Sequence, residues 1–410
     1  WPGLQTGSIM RYITVILFIV SATLSHSQIS VKYPNDAGIE KDPDVLYVEK
    51  FNDGLNNILG RYDEIVNSGG MTLDRDIPSG SLEPYSLRIT SIPGENMGGH
   101  LYKSFRPGFD NTVYLRYYVK HPSIPQGYYG HQGLWFGGYN PVLDYPYPRA
   151  GICGLGSSRI SIAFENVWRS GSRPGMDAYI YWGDMKSYDE GATCFGNTMI
   201  TEGRRDYQQA PAPDAPLCDF DEWMCIEVMI RLNDPVTAYN GELRIWKNGT
   251  ELGHWGPGFP NGHWLKDKWY NNPADPPFEG FRWRTDENLN INWIWIEFWH
   301  NSDGPSSHIK FSNIVMAREY IGPIYDPATA LPEIPGKSKN ITVSPNPGSG
   351  TINISNIEKI CKTSVFNVLG KKVMETESDT EIDVSYLNPG IYFLNIETEN
   401  DQYRVRIVKN

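Results

Sequence analysis

The sequence of 410 residues is poor in cysteine and histidine and lacks common metal-binding motifs. It has 5 cysteines and 8 histidines, and it contains neither an HExxH motif nor a CxxC pair that would mark a zinc site. Acidic residues outnumber basic ones, 48 to 36, for a net charge of -12. An acidic chain without a basic stripe argues against nucleic acid and anionic membranes as partners. A local basic groove could still bind an anionic polysaccharide.

Long apolar runs are also scarce. One follows Met10 and Arg11 and covers residues 12–22, after which residues 23–28 are polar. This order is that of a signal peptide, and the run is shorter than the roughly 20 residues of a membrane-spanning helix. We therefore predict export and exclude residues 1–27 from the fold. Residues 1–9 do not read as a targeting segment.

The cysteines fit an exported chain. Cys153, Cys194, Cys218 and Cys225 lie in the central region, and Cys361 lies in the tail. Four clustered cysteines in an oxidising compartment predict two disulfides, and the sequence leaves all three pairings open. The short spacing from Cys218 to Cys225 would suit a clip at the entry to a strand.

The C-terminal part reads as a small separate β-domain. Residues 326–339 are rich in proline and polar residues, as in a linker, and residues 340–410 contain short β-patterns bounded by Gly, Pro or Asn. The pieces Pro345-Asn346-Pro347 with Gly350, Gly370-Lys371-Lys372, LNPGIYF at 387–393 and Lys409 follow one another. This order resembles the sorting domain of the Bacteroidetes type IX secretion route. The resemblance implies transfer across the outer membrane by that machinery, with a secreted or cell-surface product.

Residues 45–325 show almost no helical periodicity. They alternate apolar and polar residues over short segments separated by Gly, Pro and Asn, which predicts an all-β sandwich or jelly roll. In VYLRYYVKH, for example, Val113, Leu115, Tyr117 and Val119 share a face. Ile160, Ile162 and Phe164 do so in a second segment, Ile226, Val228 and Ile230 in a third, and Ile294, Ile296 and Phe298 in a fourth.

The opposite faces of these strands are aromatic and charged. Trp and Tyr are costly to expose and stack well on sugar rings, so we predict a polysaccharide-binding groove, with a loop-covered second core as the alternative. Residues 127–156 form a rim loop that holds eight glycines. The predicted substrate-binding residues are Arg116, Lys120, Tyr179, Glu165, Glu227, Arg231, Trp293, Trp295, Glu297 and Trp299.

Three stretches resemble the concanavalin-like jelly-roll polysaccharide lyases of the glucuronan and alginate lyase-like group. They are GLWFGGYNP, the pair EWMCIEVMIRLN and GELRIWKNGTELG, and the closing FSNIVMAREYIGPI. The resemblance spans most of residues 100–325. It implies a concanavalin-like jelly roll that cleaves a uronate-containing glycan by β-elimination. Where that group has a Lys-Leu-Pro-Gly-type segment, this chain has His131-Gln132-Gly133-Leu134.

Such a lyase needs a base, an acid and a group that neutralises the uronate carboxylate. Residue types and strand faces suggest His131 as the base, Tyr181 as the acid, and Gln132 with Arg149 on the carboxylate. No cofactor is required. A structural Ca²⁺ at the sheet edge is conceivable, with oxygen ligands from Asp44, Asp53 and Asn313.

Two other functions stay open. A glycoside hydrolase would use paired carboxylates, such as Glu165 with Glu227 or Glu297. Jelly-roll hydrolases usually place their acids a few residues apart on one strand. The one E-x-D-x-E match, Glu377, Asp379 and Glu381, lies in the tail rather than in the central region. A non-catalytic glycan-binding protein would show the tryptophans without an acid and base, and would bind without forming product.

Overall fold

The computed structural model describes residues 28–123, 131–147, 149–166, 175–189, 191, 193–200, 216–299, 306–327, 341–346, 348–357, 359–367, 372–377, 380–388, 390–399 and 402–409. The predicted signal peptide, most of the linker and Asp379 lie outside these residues. Helices are short: α1 (Ile29–Lys32), α2 (Leu55–Leu59) and 3-10 turns at Pro34–Asp36, Ile39–Lys41 and Ser68–Gly70. None of the helices in the described part is long and apolar enough to span a bilayer.

The central region is built from antiparallel strands. In chain order they are β1 (Val45–Glu49), β2 (Glu64–Val66), β3 (Met71–Asp74), β4 (Ser86–Ser91), β5 (Gly98–Phe109), β6 (Thr112–Lys120), β7 (Gln132–Tyr139), β8 (Arg159–Asn166), β9 (Met176–Tyr181), β10 (Trp223–Arg231), β11 (Glu242–Lys247), β12 (Thr250–Trp255), β13 (Gly262–Leu265), β14 (Lys268–Asn271), β15 (Ile291–Trp299) and β16 (Ser307–Ala317).

These strands form a jelly-roll sandwich of two sheets. The first sheet has the order β12-β11-β10-β6-β16-β4-β3, with β1 paired to β16. The second sheet has the order β2-β5-β15-β7-β8-β9, and β13 and β14 form a separate hairpin. Strands distant in sequence are neighbours in both sheets, so the fold depends on long-range pairing.

The main core lies between the two sheets. The four predicted apolar faces, on β6, β8, β10 and β15, all point into it, which confirms the alternation. Each fully buried Ile or Leu there stabilises the fold by ~1.5–3 kcal/mol. The Tyr117 hydroxyl donates to the Phe164 carbonyl oxygen at 3.1 Å and links the first sheet to the second.

Residues 28–44, which precede the predicted domain start at 45, cover the outer face of the first sheet. Ile29 and Ile39 pack there with Tyr114 and Trp246 in a second apolar cluster. The backbone N–H of Ile29 donates to the carbonyl oxygen of Tyr320 at 3.0 Å. This face is therefore a loop-covered core, which was the alternative to a groove.

The prediction of two disulfides is wrong in one respect. Cys153 and Cys194 form a disulfide, whereas Cys218 and Cys225 are buried and not disulfide-bonded. Cys218 packs in the main core. Cys225 alternates on β10 with the core residue Ile226, so it points to the outer face beside Arg116. The two thiols lie on opposite sides of the first sheet, which excludes the predicted clip.

The C-terminal part folds around its own core. Its strands are β17 (Thr342–Ser344), β18 (Thr351–Ser355), β19 (Ile360–Asn367), β20 (Lys372–Glu377), β21 (Glu381–Asp383), β22 (Gly390–Thr398) and β23 (Gln402–Lys409). They form one sheet in the order β17-β18-β21 and another in the order β20-β19-β22-β23. Apolar side chains from both sheets, such as Ile352 and Val365, pack together in one core. This is the small β-sandwich that the sequence predicts.

Candidate functional site

The outer face of the second sheet brings together the predicted aromatic residues and two of the four predicted catalytic residues, His131 and Tyr181. Trp295 on β15 pairs with Trp135 on β7, Trp135 pairs with Ala163 on β8, and Ala163 pairs with Tyr179 on β9. Glu297 pairs with Gly133 one level further along the strands. Side chains two residues apart on a strand share a face, so these rows form one continuous surface.

His131 is held at this surface by a carboxylate. Its Nδ1 atom lies 2.7 Å from Oε1 of Glu165, and Oε2 of Glu165 accepts from the backbone N–H of Gln132 at 3.3 Å. Glu165 is almost fully buried, whereas 36% of the His131 side chain is exposed. If Nδ1 donates to the carboxylate, a neutral imidazole accepts a proton at Nε2. The contact orients an accessible base.

Two tyrosines continue from His131. The ring centroid of Tyr179 lies 5.3 Å from that of His131, and its hydroxyl lies 3.2 Å from the hydroxyl of Tyr181. Burial raises the pKa of Tyr179 well above its ordinary value, and Tyr181 raises it further. Tyr179 contacts the His131 ring and is partly exposed, whereas Tyr181 is buried.

Glu297 is the second carboxyl group on this face. Gly133 lies between Glu297 and Glu165, and a Cβ atom at that position would lie 3.7 Å from Cβ of Glu165. Because glycine has no Cβ, β7 places no side chain between the two carboxyl groups. Their strands flank β7 and are about 9–10 Å apart. Burial raises the pKa of Glu297 to about 8, with His131 opposing and Glu165 supporting the shift. Near neutral pH, Glu297 is mainly a protonated acid that can donate a hydrogen bond.

The predicted tryptophans form the floor, but they differ in access. Trp293 and Trp295 are buried in a cluster with Tyr102, Trp135 and Tyr139, and 40% of Trp299 is exposed. The Tyr102 hydroxyl donates to the Leu143 carbonyl oxygen at 3.2 Å, so the loop after β7 covers the Trp293 end. Among the described residues, the indole nitrogens of Trp135, Trp293 and Trp295 have no hydrogen-bond partner. Three buried donors thus line this face.

Arg159 belongs to the same face and was not among the predicted site residues. It is 3% exposed, and its guanidinium lies 4.2 Å from the ring centroid of Tyr181. Its Nε and Nη1 atoms, like the Ser161 hydroxyl, have no hydrogen-bond partner within the described ranges. The alternation on β8 already pointed to it, because Arg159 and Ser161 share the face of Glu165.

Gln132 does not reach the site. It alternates with Gly133 on β7, so its side chain shares the core-facing direction of Leu134 and is buried. There it contacts His121, whose pKa burial lowers to about 4 against the opposing effect of Gln132. The predicted contact of Gln132 with a substrate carboxylate is wrong, because the strand period directs the amide into the sandwich.

Arg149 lies at the rim. Its guanidinium is 4.8 Å from the ring centroid of Tyr147, and the Tyr147 backbone N–H donates to the Tyr139 hydroxyl at 2.9 Å. Arg149 therefore lies over the Tyr139 end of the face, which the loop covers. The structure does not bring it beside His131.

The other four predicted binding residues lie on the first sheet. Arg116 and Glu227 are fully buried: Arg116 donates to Asp36 at 3.0 Å, and Glu227 accepts from the backbone N–H groups of Ile321 and Gly322 at 2.8 Å. A substrate-binding role for these two is wrong, because residues 28–44 and 321–322 already occupy their polar atoms.

Lys120 and Arg231 lie at opposite ends of the same outer face. Lys120 forms an ion pair with Asp76 at 2.9 Å, and Arg231 pairs with Glu242 on the neighbouring strand. The structure separates both from the His131 face by the thickness of the sandwich.

A cavity of about 490 Å³ adjoins Glu297 on the side of β5 and β2. His100, Glu297 and Trp299 contribute to its wall. His100 Nε2 lies 3.2 Å from Oε2 of Glu64, and the His100 ring contacts Trp295 edge to face at 5.5 Å. The His131 face therefore continues into a space large enough for a sugar ring.

The predicted calcium ligands have protein partners. Asp53 binds Arg61 at 2.6 Å, and the Asn313 side-chain oxygen accepts from the Ser81 and Ser312 hydroxyls at 2.9 and 2.8 Å. In the described part of the chain, no group of three or more His, Cys, Asp or Glu side chains is arranged to hold a metal ion.

Solved structures similar to this chain include alginate lyase Aly36B, with 15% identity, a TM-score of 0.40, and coverage of 66% of this chain and 95% of that one. The alginate lyase vAL-1 from Chlorella virus has 16% identity and a TM-score of 0.39, covering 67% and 100%. The cellulose-induced protein Cip1 has 12% identity and a TM-score of 0.39, covering 68% and 100%.

No curated protein sequence matches the chain. One family model matches its C-terminal part, over the strands β17 to β23, and the matched segment coincides with the domain that the sequence motifs delimit. Residues 342–410 are a secretion system C-terminal sorting domain, as the resemblance to the type IX tag predicts.

Proposed function

We propose that this protein is an exported polysaccharide lyase that cleaves a uronate-containing glycan by β-elimination. The observation that carries the proposal is the contact of His131 with Glu165 beside Tyr179. The sorting domain at 342–410 supports export through the type IX route. The signal-peptide pattern at the N-terminus agrees with that route and stays a prediction, because it lies outside the described residues.

His131 acts as the base in this proposal. It takes the C5 proton of the uronate, and the electron pair forms the C4=C5 double bond while the bond from C4 to the glycosidic oxygen breaks. Glu165 is the positioning residue: it fixes the ring through Nδ1 and stabilises the imidazolium that forms. The exposure of His131 at the surface allows a polymer chain to reach it.

Tyr179 gives the proton to the leaving oxygen. Its raised pKa keeps the phenol protonated at neutral pH, as an acid requires. Tyr181 was the predicted acid; here it holds the Tyr179 hydroxyl at 3.2 Å and is itself buried. Glu297 takes over the task predicted for Gln132, since a protonated carboxyl group can donate to the uronate carboxylate and favour loss of the C5 proton.

A glycoside hydrolase is the second candidate, because Glu165 and Glu297 share one face with only Gly133 between them. A hydrolase would need Glu165 as an available base or nucleophile. Both of its oxygens are already bonded, to His131 and to the Gln132 backbone N–H, and the residue is buried. This arrangement favours Glu165 as a positioning residue.

The test is the ultraviolet absorbance of unsaturated products from a panel of uronate polymers. We expect His131→Ala and Tyr179→Phe each to lower kcat/KM by about 10²–10⁴-fold. His254→Ala is the matched control, since His254 also lies beside a carboxylate, Oε2 of Glu242 at 3.1 Å, but on the first sheet. It should keep full activity.

Hydrolysis without unsaturation would support the carboxylate pair instead. Binding without any product would support the non-catalytic glycan-binding protein. Loss of activity in His254→Ala equal to that in His131→Ala would overturn the assigned site.

A further inference from the structure

Among the described residues, the cavity beside Glu297 has no Lys or Arg in its wall. The described lining comes from the end of β2, the segment before β5, the start of β5 and the end of β15. The titratable groups that face it are Glu95, Glu297 and His100, and His100 is bonded to Glu64. Glu95 and Glu297 thus supply two carboxyl groups to the wall, against one imidazole that already has an acidic partner.

Apolar surface is exposed around the same cavity. Trp299 is 40% exposed, Met97 is 44% exposed and Val66 is 37% exposed. Large apolar side chains at a polar cavity are costly to leave in water and provide platforms for the CH faces of sugar rings. Asn67 and Asn96 add amide groups that can bond hydroxyls.

A homopolymer of uronic acid would fit this cavity poorly. Every sugar of such a chain carries a carboxylate, so occupying the cavity would bring one beside Glu95, with no Lys or Arg among the described lining residues to pair with it. Desolvating a charge without a partner is strongly unfavourable, and like charges nearby add to the cost. A sugar without a carboxylate meets neither penalty.

We infer that the substrate is a heteropolymer in which an acidic sugar, bound at His131 and Tyr179, is followed by a neutral sugar that fills the cavity against Trp299. This inference rests on the proposed function, and it names the class of polymer that the same site takes. Where the two sugars alternate strictly, cleavage would then release products with equal numbers of neutral sugars and uronates.

The experiment compares two sets of hexasaccharides with the full chain. One set contains uronates only, either glucuronate or the mannuronate and guluronate of alginate, and the other alternates the same uronates with a neutral hexose or deoxyhexose. Binding is measured by calorimetry on the His131→Ala variant, and products of the wild type are measured by absorbance and mass spectrometry. We expect at least tenfold tighter binding of the best alternating hexasaccharide and products of even length.

Two variants locate the effect. Trp299→Ala should weaken binding of the alternating set about tenfold and leave the uronate-only set unchanged. Glu95→Lys should strengthen binding of the uronate-only set, because it supplies the missing cation. Glu319→Lys, an exposed glutamate on the outer side of the first sheet, is the matched charge control and should change neither.

The outcomes separate the inference from the lyase proposal. Equal or tighter binding of uronate-only chains, or binding of neither set, overturns the inference. Tight binding of alternating chains without unsaturated product supports the inference and overturns the lyase activity. Preferential cleavage of uronate-only chains overturns the inference and supports the lyase.

Discussion

Two buried arginines show how the outer faces of the two sheets differ. On the first sheet, Arg116 donates to both carboxylate oxygens of Asp36 and to the carbonyl oxygens of Gly322 and Asn313. On the second sheet, Arg159 has no carboxylate or carbonyl partner among the described residues and lies over the Tyr181 ring. Both faces carry aromatic and charged residues in the same alternating pattern.

The hydrogen-bond partners of buried polar groups distinguish a covered core from a candidate binding site. Asp36 and residues 321–322 bond the terminal guanidinium nitrogens of Arg116 and the carboxylate of Glu227, so both charged groups of that face have protein partners. The second sheet keeps buried donors without partners, on Arg159 and on the tryptophans of its floor. Buried polar groups are normally paired in proteins, so a cluster that is not paired marks a place for ligand or water.

The largest difference in stability should be between variants of the two arginines. Arg116→Met leaves the buried Asp36 carboxylate without its partner and should lower the free energy of unfolding by about 3–5 kcal/mol. Arg159→Met leaves no carboxylate unpaired and removes mainly a cation–π contact at a buried site, so a smaller loss of about 2 kcal/mol is expected. Denaturant titration of both variants measures the contrast. Equal losses would show that Arg159 is as structural as Arg116.

Two glutamates with raised pKa values, one on each sheet, give the next contrast. Burial raises the pKa of Glu227 to about 7, against the opposing backbone N–H groups of Ile321 and Gly322, and it raises that of Glu297 to about 8. Each folded-state pKa lies above the ordinary value. The stability that these carboxyl groups contribute is therefore complete below about pH 4.3, the unfolded-state pKa, and is lost as the pH rises through about 7 to 8.

Glutamine variants separate the two roles. Glu227→Gln directs an amide NH₂ at a backbone N–H and should cost about 1–3 kcal/mol of stability without moving the pH profile of activity. Glu297→Gln should flatten the decline of stability between about pH 4.3 and 8, and it should keep activity above pH 8, where the wild type loses its protonated acid. Unfolding and activity are measured from pH 5 to 9. A wild-type profile that is flat through pH 8 would contradict the role of Glu297.

Strand alternation predicted the core and part of the site, and it failed where the answer depended on distant residues. Alternation placed Glu165 on the outer face. The same period, applied to Arg159 and Gln132, would have placed Arg159 beside Glu165 and turned Gln132 inward, but we predicted Gln132 on the substrate carboxylate and did not predict Arg159. The cover over Arg116 was not readable, because Asp36 lies 80 residues earlier in the chain. Likewise, the period placed Cys225 on the outer face, but nothing local placed Cys218 in the core.

The smallest effect should come from Lys120, at the margin of the first sheet. Its ion pair with Asp76 is partly exposed, and Asp76 keeps Lys310 at 2.9 Å and the Trp223 indole N–H at 3.0 Å when Lys120 is removed. Lys120→Ala should therefore change stability by about 0–1 kcal/mol. It should leave polysaccharide affinity and turnover unchanged, since the sandwich separates it from His131. A clear loss of affinity in this variant would show that polymer also binds the first sheet, and the contrast between the two faces would then no longer hold.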